Sequence, residues 1–238
     1  MKGICLAGGA GSRLLPMTRI YNKHVTCLYD RPMIYYPLET LRRSGVDDVM
    51  IIISDPHGKD IVNLIKNGKE FGFKHLEYGF QEGNGGIADA LAIAEDFADS
   101  ERLAVILGDN IFESAFVLLD FSKGAHIFLK EVEDPQRYGV VEFFNNSSQI
   151  RSIIEKPIDP PSNCAVTGLY CFDNTVFDKI RTLTPSARNE KEITDVLNLY
   201  LEEQALEFSM IDGWWSDSGT IESLFKSAEF MRNKKLNG

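Results

Sequence analysis

The turn Gly8-Gly9-Ala10-Gly11-Ser12-Arg13 closes a short apolar run at residues 2–7. Glycines let backbone N–H groups approach phosphate oxygens closely, and an arginine in the same turn can grip two of those oxygens as a planar fork. Lys23 supplies a second cation ten residues after Arg13. A tight turn that needs positive φ would use the same glycines, but the two cations favour phosphate binding. The turn is no P-loop, because GK[ST] is absent. It also fails as a dinucleotide fingerprint, since Leu14 stands where the third glycine belongs and no acidic residue follows at the expected distance.

Two aspartates could hold a metal. Asp109 lies in LGDN, residues 107–110, and Asp217 in WWSDSGT. An aspartate after a buried strand can bind a hard divalent cation through oxygen, with phosphate and water completing the shell. Alone, Asp109-Asn110 would read as a turn-forming pair; a second carboxylate from far along the chain makes a metal site the better account. Trp214 and Trp215 read as core packing. Glu155-Lys156-Pro157, with Arg188 further on, places an acceptor for sugar hydroxyls beside cations suited to a phosphate. By residue type alone that group reads as an ordinary charged surface.

Position depends on the elements that carry these residues. Strand patterns at 2–7, 49–54, 76–80 and 103–107 alternate with helical patterns at 33–43, 61–71 and 87–97; Pro37 is expected to kink or break the first helix. Such alternation predicts βαβ units, a mostly parallel sheet with helices on both faces, and ligands at the carboxyl ends of the strands. Function is therefore expected just after residues 7, 54, 80 and 107. Beyond about residue 125 come short strands (HIFLKEV, YGVVEFF, QIRSIIE, AVTGLYCF) with an NNSS turn, then helical patterns at 174–182, 193–204 and 220–235. With no repeat or linker, one continuous α/β domain with a β-rich sublobe is expected over residues 1–238.

Bulk composition narrows the function classes. The 238 residues carry 25 Lys and Arg against 35 Asp and Glu, a formal charge of -10 that argues against nucleic acid as a partner. No apolar run reaches the roughly 18 residues of a membrane span, so a cytoplasmic protein with no membrane partner is expected. Cys5, Cys27, Cys164 and Cys171 form no CxxC pair, which predicts reduced, structural thiols.

Taken in order, LAGGAGSRLLPMTRIYNKHVTCLYDRPMIYYPLETL, QEGNGGIADAL, VILGDNIF, DPQRYGVVEF, EKP, AVTGLYCFDN, PSARNEKEITDV and WWSDSGTIESL closely resemble the sugar-1-phosphate nucleotidyltransferases, over nearly the whole chain. The resemblance is nearest to the members that use thymidine triphosphate and glucose 1-phosphate. It implies the nucleotide-diphospho-sugar transferase fold, a Rossmann-like mixed sheet in an α/β/α sandwich, with about 1–124 binding nucleotide and 125–238 binding sugar phosphate. It further implies that Gly8, Gly9, Gly11, Ser12 and Arg13 wrap the triphosphate, that Gln81 and Gly86 read the thymine edge, and that Asp109 meets nucleotide and metal. Asp109 and Asp217 would hold Mg2+. Tyr138, Gly139, Glu155, Lys156, Val166 and Arg188 would hold the glucosyl phosphate, with Arg13, Lys23 and Lys156 as the catalytic cations. The implied reaction joins dTTP and α-D-glucose 1-phosphate into dTDP-glucose and pyrophosphate, in an enzyme expected to be a homo-oligomer.

Two features depart from the family pattern. The family's SKxLLP reads NKHVTC here, with His24 for glutamine and Cys27 for proline, which puts the presentation of Lys23 in question. The chain also lacks the C-terminal helical extension of longer members. Rival readings are the same chemistry with UTP or another hexose phosphate, a catalytically weak binding homologue, and a nicotinamide enzyme, the last disfavoured by the missing third glycine.

Overall fold

The computed structural model describes residues 1–114, 116, 123–145 and 147–237. Asn146, within the expected NNSS turn, lies outside them. In chain order the first half comprises β1 (Lys2–Leu6), β2 (Cys27–Leu28), β3 (Arg31–Pro32), α1 (Tyr35–Arg43), β4 (Asp48–Ser54), α2 (Gly58–Ile65), β5 (His75–Gln81), α3 (Ile87–Ala92), α4 (Glu95–Ala98), β6 (Leu103–Leu107) and β7 (Asn110–Phe112). The second half comprises β8 (Ala125–Glu131), β9 (Gly139–Phe143), β10 (Ile150–Glu155), β11 (Cys164–Phe172), α5 (Val176–Thr182), α6 (Ile193–Glu202), β12 (Leu206–Met210), β13 (Trp215–Asp217) and α7 (Ile221–Asn237).

Nine strands make one mixed sheet ordered β10-β9-β11-β6-β1-β4-β5, with β8 also pairing β11 and β12 pairing β8. The strands β6, β1, β4 and β5 run parallel, as the βαβ pattern predicts, while β11 lies antiparallel against β6. The strand-rich second half thus continues the sheet of the first.

Side chains along each strand alternate between two buried faces. Ile4, Leu6, Met50, Ile52 and Val105 pack with Leu91 of α3, Ile180 of α5 and Leu197 of α6. Cys5, Ala7, Ile51, Ile53 and Ile106 pack with Leu38 and Leu41 of α1 and Ile61 of α2. This is the α/β/α sandwich. A smaller cluster, Leu28, Met33, Tyr36, Ile111 and Met231, seats α7 on β7 and α1. All four cysteines are free, and among the described residues no helix is long and apolar enough to cross a membrane.

Three expected helices differ. Helix 33–43 starts at Tyr35 without a break, because Pro37 falls in the first turn, where a backbone N–H has no helical partner to lose. Helix 61–71 starts at Gly58 and stops at Ile65, where Lys66 turns to φ 55°. Helix 87–97 divides into α3 and α4, with Ile93 and Ala94 between them. Strands β2, β3, β7, β12 and β13 are too short or too polar to register as sequence patterns.

Ile51 is wholly buried between β1 and β5. Ile51→Ala is expected to cost about 2–5 kcal/mol, read as a lower urea midpoint at an unchanged m-value; a midpoint equal to that of the parent protein would contradict this core assignment.

Candidate active site

The carboxyl ends of the parallel strands converge on one cleft with two adjoining compartments. The larger, about 290 Å³, is bordered by Gly8, Gly9, Lys23, Gln81, Gly86 and Arg188. The smaller, about 140 Å³, is bordered by Tyr138, Gly139, Val166, Thr194, Trp215 and Asp217. Arg13, Asp109, Glu155 and Lys156 line both.

What brings Asp109 to Asp217 is the two-stranded pairing of β7 with β13, in which Asn110 is opposite Asp217. The Ser218 N–H donates to the Asp109 carbonyl at 2.9 Å, locking the junction. A Cβ built on Gly219 would stand 3.4 Å from Oδ2 of each aspartate and 3.1 Å from Nη2 of Arg13. Both oxygens therefore border a pocket that only glycine leaves open.

Cations attend both carboxylates. Lys23 Nζ lies 2.5 Å from Asp109 Oδ2, and the Asn110 amide donates to Oδ1 at 3.0 Å. Burial opposes ionisation of Asp109, but Lys23 and these hydrogen bonds more than offset it, and its carboxyl falls below the usual range. Arg137 donates to both oxygens of Asp217 at 2.7 Å, and Tyr138 Oη donates at 3.1 Å. Burial and the charge of Asp109 still leave Asp217 above the usual range. Two like charges sharing a small volume titrate apart in this way.

The donor set fits a hard divalent cation. No cluster of three or more His, Cys, Asp or Glu ligands exists among the described residues. A cation here would take Asp109 and Asp217 and complete its shell from phosphate and water, as magnesium commonly does.

The glycine turn is held open by its neighbours. Gly9 has φ 93° and its N–H donates to Ser54 Oγ at 3.0 Å, while a Cβ on Gly11 would collide with Thr18 Cγ2 at 2.7 Å. Gly11 and Ser12 themselves stand back from the lining, so of the expected triphosphate loop only Gly8, Gly9 and Arg13 face the cleft. Gln81 donates both amide hydrogens, to the Gly86 carbonyl at 3.1 Å and to Asp89 Oδ2 at 3.0 Å. Toward the cleft it can therefore only accept, through Oε1.

The NKHVTC stretch keeps Lys23 in place. Residues Lys23–Val25 form one 3₁₀ turn, and the Asn22 side chain caps it by accepting from the His24 N–H. His24 Nδ1 also meets Asn22 Oδ1, at 2.8 Å; a carbonyl oxygen only accepts, so Nδ1 carries the proton. Burial, with Lys23 beside it, pushes His24 down to about 3 against the pull of Asp109, so the ring is neutral at pH 7.

In the smaller compartment, Glu155 and Lys156 end β10, where Lys156 adopts φ 44° and its Nζ pairs with Glu155 Oε1 at 2.9 Å. Holding a non-glycine residue in the left-handed region costs about 1 kcal/mol. Arg188, expected to hold the sugar phosphate, borders the larger compartment, where it pairs with Glu155 at 3.2 Å and Glu190 at 2.5 Å. Trp215 is buried as expected, yet it also walls this compartment and donates from Nε1 to Asn110 Oδ1 at 2.8 Å. Arg137, Asn110 and Thr194 were not found from sequence, because their roles arise from cross-strand placement that no local spacing encodes.

Helix α7 reaches the site through hydroxyls. Ser223 Oγ donates to the Asp217 carbonyl at 3.3 Å, and Ser218 Oγ to Ser227 Oγ at 2.7 Å.

A mixed α/β sheet whose cleft pairs a cationic glycine turn with two convergent carboxylates defines a nucleotidyltransferase. The chain belongs to the nucleotidyl transferase family, whose profile matches residues 2–234. It is 41% identical over 240 residues to a glucose-1-phosphate thymidylyltransferase of Neisseria gonorrhoeae, covering 98% of this chain and 83% of that one. A namesake from Mycolicibacterium smegmatis is 38% identical over 243 residues, 99% and 84% of the two chains. Among solved structures, a glucose-1-phosphate thymidylyltransferase from Bacillus anthracis, in complex with a sucrose, superposes with a TM-score of 0.91 at 43% identity, covering 98% of this chain and 96% of that one. A UDP-glucose pyrophosphorylase complexed with UDP-glucose matches in fold alone, at a TM-score of 0.83 and 24% identity over 98% of each chain.

Filling the pocket at Gly219 tests the metal assignment. Gly219→Ala sets a methyl at ordinary contact distance from both carboxylates, so the melting temperature is expected to shift little while Mn2+ affinity falls at least about tenfold, the lower end for a disturbed metal shell. Unchanged Mn2+ affinity by titration calorimetry would place the cation elsewhere.

Proposed function

We propose that this chain joins dTTP and α-D-glucose 1-phosphate to give dTDP-glucose and pyrophosphate, with Mg2+ held by Asp109 and Asp217. The observation that carries the proposal is that both carboxylates and Arg13 border the smaller compartment, with Asp109 and Arg13 extending to the larger. Thymidylyltransferase relatives covering nearly the whole chain support the choice of substrates.

The larger compartment suits the nucleotide. Gln81 Oε1 can accept from the N3–H of a thymine, and Gly8, Gly9 and Arg13 offer amides and a fork to the phosphates. The smaller compartment suits the hexose. Glu155 accepts from sugar hydroxyls, Gly139 keeps the wall free of a side chain beside Thr194, and Lys156 on the seam meets the ester phosphate.

A sugar phosphate monoester has its second pKa near about 6, so it reaches neutral pH largely dianionic and needs no general base. Its oxygen attacks the α-phosphorus in line, the new P–O bond forming as the bond to pyrophosphate breaks. The barrier lies in bringing two anions together, and positioning with charge neutralisation lowers it. When bound, the divalent ion neutralises phosphate charge and aligns the oxygens. Arg13 and Lys156, which line both compartments, act where the two phosphates meet, and Lys23 adds positive charge beside Asp109.

A pyrophosphate-release panel of dTTP, UTP and the other triphosphates against several hexose 1-phosphates, with and without magnesium, tests the proposal. Gln81 Oε1 reads thymine and uracil alike, so the dTTP and UTP arms decide the base. Arg13→Ala is expected to lose roughly 10³-fold in turnover with melting nearly unchanged, since the side chain is exposed; comparable turnover would remove Arg13 from the mechanism. Asp109→Asn is expected to cost at least about 10²-fold in magnesium-dependent rate, and full activity at ordinary magnesium would refute its role as a ligand.

A further inference from the structure

Asn110 is 2% exposed and makes three hydrogen bonds to three separate parts of the site. Its Oδ1 accepts from the Gly168 N–H at 2.9 Å and from Trp215 Nε1 at 2.8 Å, while its Nδ2 donates to Asp109 Oδ1 at 3.0 Å. The Gly168 N–H is available because β11 changes register against β8 between Val166 and Tyr170. Glycine is required there, since a Cβ would approach the Asn110 amide to within 2.6–2.7 Å. These bonds fill both lone pairs of Oδ1 and fix which end of the amide faces Asp109.

The consequence for Asp109 is directional. Oδ1 is held by Asn110 at 3.0 Å and Oδ2 accepts from Lys23 at 2.5 Å, and of the two it is Oδ2 that also borders the pocket at Gly219. Because the same amide holds Trp215, a wall of the smaller compartment, the orientation of the carboxylate and the shape of the sugar side are set together.

We infer that Asn110 is a positioning residue that orients Asp109 so that Oδ2 alone meets the metal, and that it couples this orientation to the Trp215 wall. The inference rests on the proposed nucleotidyl transfer. It claims more than a packing role, because a packing role requires only the acceptor bonds to Gly168 and Trp215, whereas orientation requires the donor to Asp109.

The test separates the two. Asn110→Asp keeps both acceptor bonds, and so the fold, and sets a second carboxyl against Asp109: while the pair shares a proton the donor survives, and once both ionise it becomes a repelling acceptor. Turnover at saturating magnesium, relative to the parent, is expected to fall at least about tenfold as the pH is raised through that ionisation, although the variant has one more carboxylate for a cation. Asn110→Leu removes the donor without adding charge, and Asn110→Ser draws it back from Asp109 on a shorter side chain. In whichever of these keeps the circular dichroism of the parent, Mn2+ binding to the substrate-free protein, followed by electron paramagnetic resonance, is expected to weaken by about 10- to 100-fold, the range for outer-shell partners of metal ligands. Turnover of Asn110→Asp within twofold of the parent from about pH 6 to about pH 9 overturns the inference, and so does unchanged Mn2+ affinity in a folded Ser or Leu variant. The parent protein is the control: if it releases no pyrophosphate from any substrate pair, the proposed function fails; if it does, these variants judge Asn110 alone.

Discussion

Repulsion between two phosphate-bearing substrates is the constraint around which this molecule is organised. At a net charge of -10 the protein as a whole worsens that repulsion, so positive charge must be concentrated locally and held in place. The pairing of β7 with β13 does this. It sets two acids face to face beside Arg13, and their charge is tolerated because Lys23 attends one and Arg137 the other. A buried carboxylate without such a partner would take up a proton and lose its value as a metal ligand.

The sheet supplies the frame. Its parallel strands end at one edge, and the turns after β1, β5 and β6 deliver the glycine loop, Gln81 and Asp109 to it. The antiparallel strands of the second half add the other wall, with β9, β10 and β11 carrying Gly139, Glu155 and Val166. The two halves are also stitched by backbone bonds, since the Lys191 N–H donates to the Gly85 carbonyl at 2.7 Å and the Ala88 N–H to the Lys191 carbonyl at 3.2 Å. Contacts in the two compartments are thus mechanically linked.

Long periodic runs were legible in the sequence. The parallel strands read clearly because β-branched stretches such as VMIIIS are buried on both faces, and Asp109 could be placed at a strand end from the apolar run before it. Helix limits are less so: Pro37 sits in a first turn that tolerates it, and the apolar spacing running on to Phe71 masks the Asn67-Gly68 turn that follows Lys66 and ends the helix. The three-residue strands that bring Asp217 to Asp109 were invisible, because their pairing is decided by partners more than a hundred residues away. Arg137, Asn110 and Thr194 escaped notice for the same reason. The pairing of Arg188 with Glu155, Glu190 and Glu192 is likewise visible only in three dimensions.

Because Ser223 holds the Asp217 carbonyl and Ser227 holds Ser218, helix α7 bears on Asp217 from outside the cleft. A change in how the first two turns of α7 are seated is therefore transmitted to the floor of the cleft through two hydroxyls.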